Sequence, residues 1–328
     1  MAPSLLTRRQ VLVKGVVGMA GLMAAHDART AAPGAAAPAA AAVTTVAAAA
    51  GTLTLGGDLT VNRLGFGAMR ITGPGIWGEP KDPAEARTVL RRAVELGVNF
   101  IDTADAYGPR VSEELIAEAL HPYPPALVIA TKGGLTRPGA SQWIADGRPE
   151  HLREACEASL RRLRVERIDL YQFHAVDPYV VLEYSIEALA QLQHAGKIRH
   201  IGVSNFNTLE LARARRIAPI VSVQNRYNLT DRRSDEVLGV CARDGLAFIP
   251  WAPIAGGSAD RLESRASHAV EEAARVHGVS VLQVAIAWLL AKSPAMLPIP
   301  GTSSVAHLEQ NVAAASIKLS AAELAAIG

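Results

Sequence analysis

NFIDTADAYG, residues 99–108, decides the fold, because an apolar strand-like run ends here in two polar side chains, Asp102 and Tyr107. Two later segments repeat the pattern. ALVIATK (126–132) ends at Lys132, and IDLYQFH (168–174) ends at His174. Any fold that gathers the carboxyl ends of parallel strands at one face brings these four side chains together.

The four side chains form a proton-transfer set. A phenol has a pKa of about 10 and is a poor acid at neutral pH unless a nearby cation stabilises its phenolate. Lys132 is such a cation and Asp102 keeps it charged, while His174 orients an oxygen near the phenol. The combination predicts protonation of a carbonyl oxygen. Taken singly, the residues are more typical of a loop aromatic, a strand-end histidine and a structural ion pair.

Eight apolar segments alternate with stretches of helical periodicity along the chain. They lie at residues 63–67, 98–101, 126–131, 168–173, 198–203, 220–223, 246–251 and 295–299. Ahead of them, TLTLGG and DLTVNR (52–63) predict a hairpin that turns at Gly56 and Gly57. The 278 residues from 51 to 328 therefore suit one α/β domain, a (β/α)8 TIM barrel with an N-terminal β-hairpin.

A doubly wound nucleotide-binding sheet is the structural alternative. It requires G-x-G-x-x-G after a first strand and an acidic residue about twenty positions later. Gly65 and Gly67 are followed by Ala68, Met69 and Arg70, so the third glycine is missing, and no Walker A motif is present. The barrel is the better match.

The sequence predicts where several helices begin and end. Asp82 and Glu85 predict the start of a helix that Gly97 closes. Ser280 precedes the apolar run VLQVAIAWLL, and Ser304 precedes a segment through Asn311. Each serine is expected to cap the helix that follows it.

Composition and charge exclude several classes of protein. The chain of 328 residues is 49% hydrophobic and 20% charged, with a formal charge of +2, which is typical of a globular domain with a large core. Residues 1–50 hold four basic residues and one acid, so residues 51–328 carry about −1. No nucleic-acid partner is implied.

Neither the cysteines nor the histidines are arranged for metal binding. Cys156 and Cys241 lie in helix-like segments without ligand spacing, and the nine histidines are scattered. Both cysteines are interpreted as packing residues, and no metal site is predicted.

The first fifty residues are interpreted as a leader and linker. The segment TRRQVLVK (7–14) resembles a twin-arginine export signal, and its apolar stretch ends at Ala25, too short for a membrane span. Thirteen of residues 31–50 are alanine, with two prolines, as in a cleavage region and tether. We expect a protein exported to the periplasm or secreted, without a stable membrane span after cleavage. The alternative is a cytoplasmic protein with a disordered or over-extended N-terminus.

Residues 52–328 resemble the aldo-keto reductase family. The resemblance rests on motifs in the family's order: GFGAM, NFIDTADAYG, ATKGG, LYQFH, HIGVSNF, SVQNRYN, FIPWAPIAGG and PIPGTSSVAHLEQN. It implies that hydride passes from a nicotinamide to a carbonyl carbon of a small molecule while Tyr107 donates a proton to the oxygen. It also implies that Lys132 lowers the pKa of the phenol, that Asp102 holds Lys132 and that His174 positions the carbonyl.

The resemblance also carries cofactor contacts. It implies matching positions for five groups of contacts: the first loop, the carboxamide contacts, the stacking tryptophan with its two following residues, the phosphate loop and the adenine contacts. Besides Asp102, these are Gly67, Ala68, Met69, Ser204, Asn205, Gln224, Trp251, Ala252, Pro253, Gly301, Thr302, Ser303, His307, Gln310 and Asn311.

The phosphate loop departs from many relatives. Backbone amides at a helix N-terminus bind phosphate well, yet no arginine or lysine lies in GTSSVAHLEQN, only His307, whose charge at pH 7 is small. NADP(H) is the favoured cofactor because this motif resembles a bacterial subgroup that uses it, and NAD(H) stays open.

The same subgroup suggests a substrate. It shares GPGIWGEPKD and includes pyridoxal or pyridoxine reductases, so a pyridoxal-like aldehyde is one concrete prediction. Trp77, Trp143 and Tyr179 are further candidates for the substrate pocket. The alternative function is a cofactor-binding redox sensor or regulatory subunit, like the channel-associated β subunits of the family. No segment predicts an oligomer, and a monomer is the default.

Overall fold

The computed structural model of the protein describes residues 45–254 and 268–328. The twin-arginine segment and residues 31–44 of the alanine-rich stretch lie outside the described residues. The barrel domain was predicted to begin at residue 51, but residues 45–50 already belong to the fold.

A short 3-10 turn, Val46–Ala50, begins the described chain. Ala47 is fully buried, and its amide donates to Leu96 O at 3.0 Å. Lys318 Nζ donates to Ala49 O at 3.1 Å. The last part of the predicted linker is therefore packed against the barrel, because its small alanines fit a close backbone contact.

A hairpin closes one end of the barrel, as predicted. Strands β1 (Thr52–Leu55) and β2 (Leu59–Asn62) pair antiparallel, and Gly56 and Gly57 turn with φ of 59° and 83°. A Cβ on Gly56 would lie 2.2 Å from the ring of His200, so only glycine fits this contact. The hairpin's buried side chains join a core cluster inside the barrel: Leu55, Leu59, Val61, Phe100, Val128, Leu170, Ile249 and Leu297. Each such buried aliphatic or aromatic side chain contributes about 1.5–3 kcal/mol.

Seven parallel strands make the barrel wall, and a small antiparallel pair lies in the loop after the third of them. The strands are β3 (Phe66–Gly67), β4 (Phe100–Asp102), β5 (Val128–Gly133), the small pair β6 (Leu135–Thr136) and β7 (Ile144–Ala145), β8 (Ile168–Phe173), β9 (Ile198–Ser204), β10 (Ile220–Arg226) and β11 (Ala247–Trp251). The wall runs in the order β3-β4-β5-β8-β9-β10-β11, with every pairing parallel.

The eighth predicted segment closes the wall without forming a regular strand. Phe248 pairs with Met296 as an isolated parallel bridge, and Gly65 N donates to Pro298 O at 2.9 Å. Residues 295–299 thus contact both edge strands. Pro298 and Pro300 have no N–H to donate, so a continuous ladder is impossible here. The prediction of a (β/α)8 barrel is confirmed.

Helices cover the outside of the wall. They are α1 (Pro83–Glu95), α2 (Val111–Leu120), α3 (Pro149–Leu163), α4 (Leu182–His194), α5 (Thr208–Ala214), α6 (Asp235–Asp244), α7 (His268–His277), α8 (Val281–Lys292), α9 (Val305–Ala313) and α10 (Ala321–Ile327). Short 3-10 turns follow β3 at Ala68–Ile71 and α9 at Ala314–Ser316.

Two of the three predicted caps are confirmed. Asp82 accepts from the amides of Ala84 and Glu85 at the start of α1, and Ser280 forms a capping box with Gln283 at the start of α8. The third was wrong. Ser304 occupies the N-cap position of α9, but its side chain makes no capping hydrogen bond within the described residues.

Among the residues that the structure describes, no single helix is long and apolar enough to cross a membrane. Only α7 and α8 taken together satisfy length and composition, and they are bent by 99° relative to each other.

Candidate active site

Lys132 is the centre of the site. It lies near the carboxyl end of β5 and is fully buried. Its ammonium donates to Asp102 Oδ2 at 2.6 Å, to Thr103 O at 2.9 Å and to Tyr107 OH at 3.2 Å. An ammonium has three N–H groups, so every one is used and one is aimed at the phenol. This side chain is held in one place.

Asp102, the last residue of β4, is only 2% exposed and gathers three donors. Besides Lys132, Gln172 Nε2 donates to Oδ1 at 2.9 Å and Gln224 Nε2 donates to the same oxygen at 2.7 Å. A buried carboxylate is stable only when its lone pairs are matched in this way. The two amides therefore complete the hydrogen bonding of the Asp102 carboxyl group opposite Lys132.

Tyr107 and His174 face the same cavity from two loops. Their rings meet edge to face at 5.9 Å between centroids, and each residue is 7% exposed. The cavity beside them has a volume of about 460 Å³. The four residues that the sequence predicted as a set are thus together, with Asp102, the phenol and the imidazole on the cavity wall and Lys132 behind them.

Burial sets the protonation states of this group. Burial raises the pKa of Tyr107 above its ordinary value, and Lys132 offsets only part of that rise. Burial disfavours the charge on Lys132, but Asp102 and the phenol raise its pKa overall. Burial first, then Lys132 and Arg137, hold the pKa of His174 well below its usual range. At neutral pH the site therefore holds a neutral phenol, an ammonium and a neutral imidazole.

Lys132 was expected to lower the pKa of the Tyr107 phenol, and both its charge and its hydrogen bond do so. The lysine acts in the expected direction, but desolvation of the phenolate outweighs it. The lysine's role is to lower the cost of forming a phenolate in a buried position. The proton stays on Tyr107 until an acceptor is beside it.

Ser204, Asn205 and Gln224 form a polar cluster on the cavity wall. Asn205 adopts φ of 61°, its Nδ2 donates to His174 O at 3.0 Å, and its Oδ1 accepts from Trp251 Nε1 at 2.9 Å. Both N–H groups of Gln224 are used, one on Asp102 and one on Gln172 Oε1 at 3.2 Å. Within residues 45–254 and 268–328, Gln224 Oε1 accepts no protein hydrogen bond and is open to a donor from a ligand.

Trp251 ends β11 and is partly exposed, as a stacking surface must be. Its indole N–H is fixed by Asn205, and Arg226 lies 5.3 Å from the ring centroid. Ala252, at φ of 52°, and Pro253 follow it along the same cavity wall. The ring is therefore oriented before any ligand arrives.

A second cavity, of about 760 Å³, adjoins the first. The two share Met69, Arg70, Ile76, Ile254 and Gly301 as wall residues. The remaining predicted phosphate and adenine contacts line the second cavity: Thr302, Ser303, His307, Gln310 and Asn311. Together the cavities form a continuous channel from the proton-transfer set to the start of α9.

Gly67 and Gly301 stand where the two cavities meet. A Cβ on Gly67 would lie 2.6 Å from Ile299 O, and one on Gly301 would lie 2.3 Å from Gly67 O. The two loops approach closely through bare backbone, which only glycine permits. This contact shapes the wall beside the residues that the two cavities share.

Three predicted residues do not line the channel. Ala68 is fully buried, its carbonyl accepts from Ser112 Oγ at 3.2 Å, and it is not on the wall of either cavity. Trp77 is not on the wall of either cavity and instead lies 5.5 Å from the guanidinium of Arg137. Tyr179 is 96% exposed and faces solvent. Loop residues follow local packing, which position along the chain does not reveal.

Trp143 does line the substrate cavity, and a residue that the sequence did not single out holds it there. The guanidinium of Arg137 lies 3.5 Å from the Trp143 ring centroid and donates to Ala106 O and Ala140 O. Arg137 is 8% exposed. Stacking on the indole offsets part of the cost of burying this charge. The arginine ties three loops together at the rim.

Gln172 was also missed, although it stands inside the quoted motif LYQFH. It is fully buried and two residues before His174, so both side chains point to the same side of the strand. A polar residue in an otherwise apolar strand interior is the signal that identifies it. Its role is to position Asp102 and Gln224.

No cluster of three or more metal-ligating side chains occurs among the described residues. Both cysteines lie within that part of the chain, and both thiols are buried and free. Burial raises the pKa of each to about 12, so neither is a reactive thiolate at neutral pH.

The fold and site define a barrel oxidoreductase, and comparison with known proteins gives its family. The family model "Aldo/keto reductase family" matches residues 63–328. This chain belongs to the aldo/keto reductase family.

Relatives match over most of their length. An uncharacterized oxidoreductase of Schizosaccharomyces pombe is 48% identical over 271 residues, which cover 83% of this chain and 87% of the relative. Pyridoxine 4-dehydrogenase of Escherichia coli is 43% identical over 278 residues, 83% of this chain and 95% of the relative.

Solved structures share the fold. A glycerol dehydrogenase from Gluconobacter oxydans has a TM-score of 0.75 at 28% identity, covering 85% of this chain and 94% of its own. An aldo/keto reductase from Klebsiella pneumoniae, crystallised with NADP and acetate, has a TM-score of 0.71 at 27% identity, covering 84% and 93%.

Proposed function

We propose that the protein reduces aldehydes or ketones to alcohols with NADP(H), using Tyr107 as the proton donor. The observation that carries this proposal is the third hydrogen bond of Lys132, which is aimed at the phenol on the cavity wall. Structural ion pairs do not need such a bond. The alternative of a regulatory subunit with little turnover is not favoured, because the proton-transfer set is complete and the curated relatives are oxidoreductases.

The channel fits a nicotinamide dinucleotide. Its two joined cavities provide an extended shape, Gln224 Oε1 offers an acceptor for a carboxamide N–H, and Trp251 offers a flat apolar surface. Gly301–Ser303 leads into α9, where backbone amides favour a phosphate. When bound, the nicotinamide supplies the hydride. The Klebsiella relative crystallised with NADP supports the phosphorylated form of the cofactor.

The chain's own residues handle the proton. A carbonyl oxygen in the cavity accepts a hydrogen bond from Tyr107 OH, and the neutral His174 orients it through a ring N–H. As negative charge develops on the oxygen, the proton leaves Tyr107. Lys132 Nζ, 3.2 Å away, stabilises the phenolate, and Asp102 keeps that ammonium in place. In the reverse direction the phenolate accepts the proton of an alcohol.

Replacing Tyr107 by Phe tests the proposal. The ring and its contacts remain while the acid is lost, so kcat for aldehyde reduction should fall about 10²–10⁴-fold. The Kd for NADPH, measured by fluorescence titration, should change less than twofold. Tyr123→Phe is a matched control, because that hydroxyl donates to Leu163 O away from the cavity and its loss should leave turnover unchanged. Equal loss of cofactor binding and turnover in Tyr107→Phe would show that Tyr107 is structural.

A pyridoxal-like aldehyde is the proposed substrate class. The support is the 43% identity to pyridoxine 4-dehydrogenase and a cavity that holds both aromatic walls and polar groups. Initial rates with NADPH and NADH across pyridoxal, benzaldehyde and simple ketones test this. A kcat/KM for pyridoxal below that of the unrelated aldehydes would overturn it.

The proposed location is outside the cytoplasm, reached by export through a twin-arginine route. The support is the pair Arg8-Arg9 followed by an apolar stretch. A route that transports folded proteins also suits a protein that binds a soluble cofactor. Because residues 45–50 pack on the barrel, cleavage is expected before Thr45. Cell fractionation with mass spectrometry of the N-terminus tests this, with an Arg8→Lys/Arg9→Lys variant as the control that should stay inside the cell. A mature chain that begins at Met1 would contradict the proposal.

A further inference from the structure

The second cavity has charged side chains on the wall opposite the phosphate loop. Lys81 and Glu85, from the approach to α1 and its first turn, line it together with Thr302, Ser303 and His307. More than two hundred residues of sequence separate these walls. The loop that carries no lysine or arginine of its own therefore faces a lysine contributed by another part of the barrel.

The start of α9 already has an anionic partner. Ser304 makes no side-chain cap among the described residues, whereas Glu85 Oε1 accepts from Val305 N at 3.4 Å. A carboxylate is stabilised by a helix N-terminus for the same reason as a phosphate, because both meet unpaired N–H groups and the positive end of the helix dipole. Glu85 thus occupies a donor that a bound phosphate would use.

Lys81 is available to a ligand. It is exposed, and in the part of the chain that the structure describes it makes no ion pair or hydrogen bond. It stands directly before Asp82, whose carboxylate is engaged by the amides of Ala84 and Glu85. The lysine is therefore a positive charge, without a partner among the described residues, on the wall of the second cavity.

We propose that Lys81 and Glu85 set cofactor choice in opposite directions. Lys81 pairs with the adenosine 2′-phosphate of NADP(H), and Glu85 competes with that phosphate for Val305 N and repels it. The proposal rests on the proposed function, in which this channel binds a nicotinamide dinucleotide. Under this proposal the loop before α1 supplies the positive charge that the segment GTSSVAHLEQN lacks.

Binding to the full-length protein without turnover tests the proposal. Kd values for NADPH and NADH come from fluorescence titration, and those for 2′,5′-ADP and 5′-AMP come from calorimetry. Lys81→Ala should weaken NADPH and 2′,5′-ADP about tenfold, the loss of one charge-assisted contact, and leave NADH and 5′-AMP within twofold. Glu85→Gln should tighten NADPH and 2′,5′-ADP severalfold and leave the unphosphorylated ligands unchanged.

Lys197→Ala and Glu157→Gln are matched controls. These residues pair at 3.2 Å near the start of β9, and the same changes in charge there should not alter the ratio of NADPH to NADH affinity. Circular dichroism checks that each variant is folded.

The outcomes separate the two proposals. If the protein binds dinucleotides but neither variant changes the ratio, or if Lys81→Ala weakens NADH and NADPH equally, the assignment of Lys81 and Glu85 is wrong while the proposed function stands. If the wild-type protein binds neither NADPH nor NADH, the proposed function fails, and this inference fails with it.

Discussion

The proton-transfer set and the phosphate end of the channel differ in how their charged side chains are buried and paired. At the first, Lys132 and Asp102 are buried and every donor of the ammonium has a fixed partner. At the second, Lys81 is exposed and Glu85 makes a single long contact of 3.4 Å. Catalysis needs charges held in place in a dry site, whereas discrimination between two cofactors needs only a modest difference between attraction and repulsion.

Lys132→Met should have the largest effect, because it removes the buried positive charge of the proton-transfer set. The phenolate loses its cation, so turnover should fall about 10³-fold. Asp102 is left buried without its counter-charge, and the free energy of unfolding should fall by about 3–5 kcal/mol. Steady-state kinetics and urea unfolding measure the two losses.

The double variant Asp102→Asn/Lys132→Met gives the control for Lys132→Met. Removing both charges should restore much of the stability and none of the activity. Recovery of activity together with stability would contradict a catalytic role for the lysine.

Gly301→Ala should have an intermediate effect, because it acts where the two cavities meet. The new methyl group would lie 2.3 Å from Gly67 O, so one loop must move, at a cost of about 1–3 kcal/mol in unfolding free energy. Affinity for NADPH and NADH should fall together, since both ligands pass this point. Gly239→Ala in α6 is the control: nothing lies within 4 Å of its Cβ, and stability should not fall. Unchanged affinity in Gly301→Ala would show that the ligand does not contact the loop at Gly301.

Asp105→Asn should have the smallest effect on activity, and it tests the electrostatics behind the proton-transfer set through stability. Burial, and then Glu113, raise the pKa of Asp105 to about 8. The folded protein therefore keeps a proton that the unfolded chain loses near its ordinary pKa of 3.8, so the stability contributed by this group is lost as pH rises between these values. The slope approaches about 1 kcal/mol per pH unit.

Urea unfolding at pH 5, 7 and 9 tests this prediction for Asp105. Relative to the wild type, Asp105→Asn should be stabilised more at pH 9 than at pH 5. An equal difference between the two proteins at every pH would show that Asp105 titrates normally.

The sequence predicted the barrel and the catalytic half well because both depend on short-range patterns. Apolar runs followed by Asp102, Lys132 and His174 mark strand ends, and parallel strands place such ends together. The eighth strand was predicted by hydropathy, while its irregular form follows from Pro298 and Pro300. Gln172 was within reach of the same argument, since it shares a strand face with His174.

The phosphate half was harder to predict because its contacts are long-range. Ser304 has the residue type of an N-cap, yet Val305 N is taken by Glu85, 220 positions earlier. Nothing local links these residues. The outward-facing Tyr179 teaches the same lesson, since a loop position fixes neither the direction nor the neighbours of a side chain.

The hairpin of β1 and β2 covers one end of the barrel. Its buried side chains are Leu55, Leu59 and Val61, and the ring of His200 lies so close to Gly56 that no methyl group could be added there. These side chains pack against residues at or near the starts of the strands, such as Phe100, Val128 and Ala247, and no hairpin residue lines either cavity. The hairpin therefore adds buried apolar contacts at one end of the barrel and leaves the strand ends, where the polar side chains gather, free to change without loss of that part of the core.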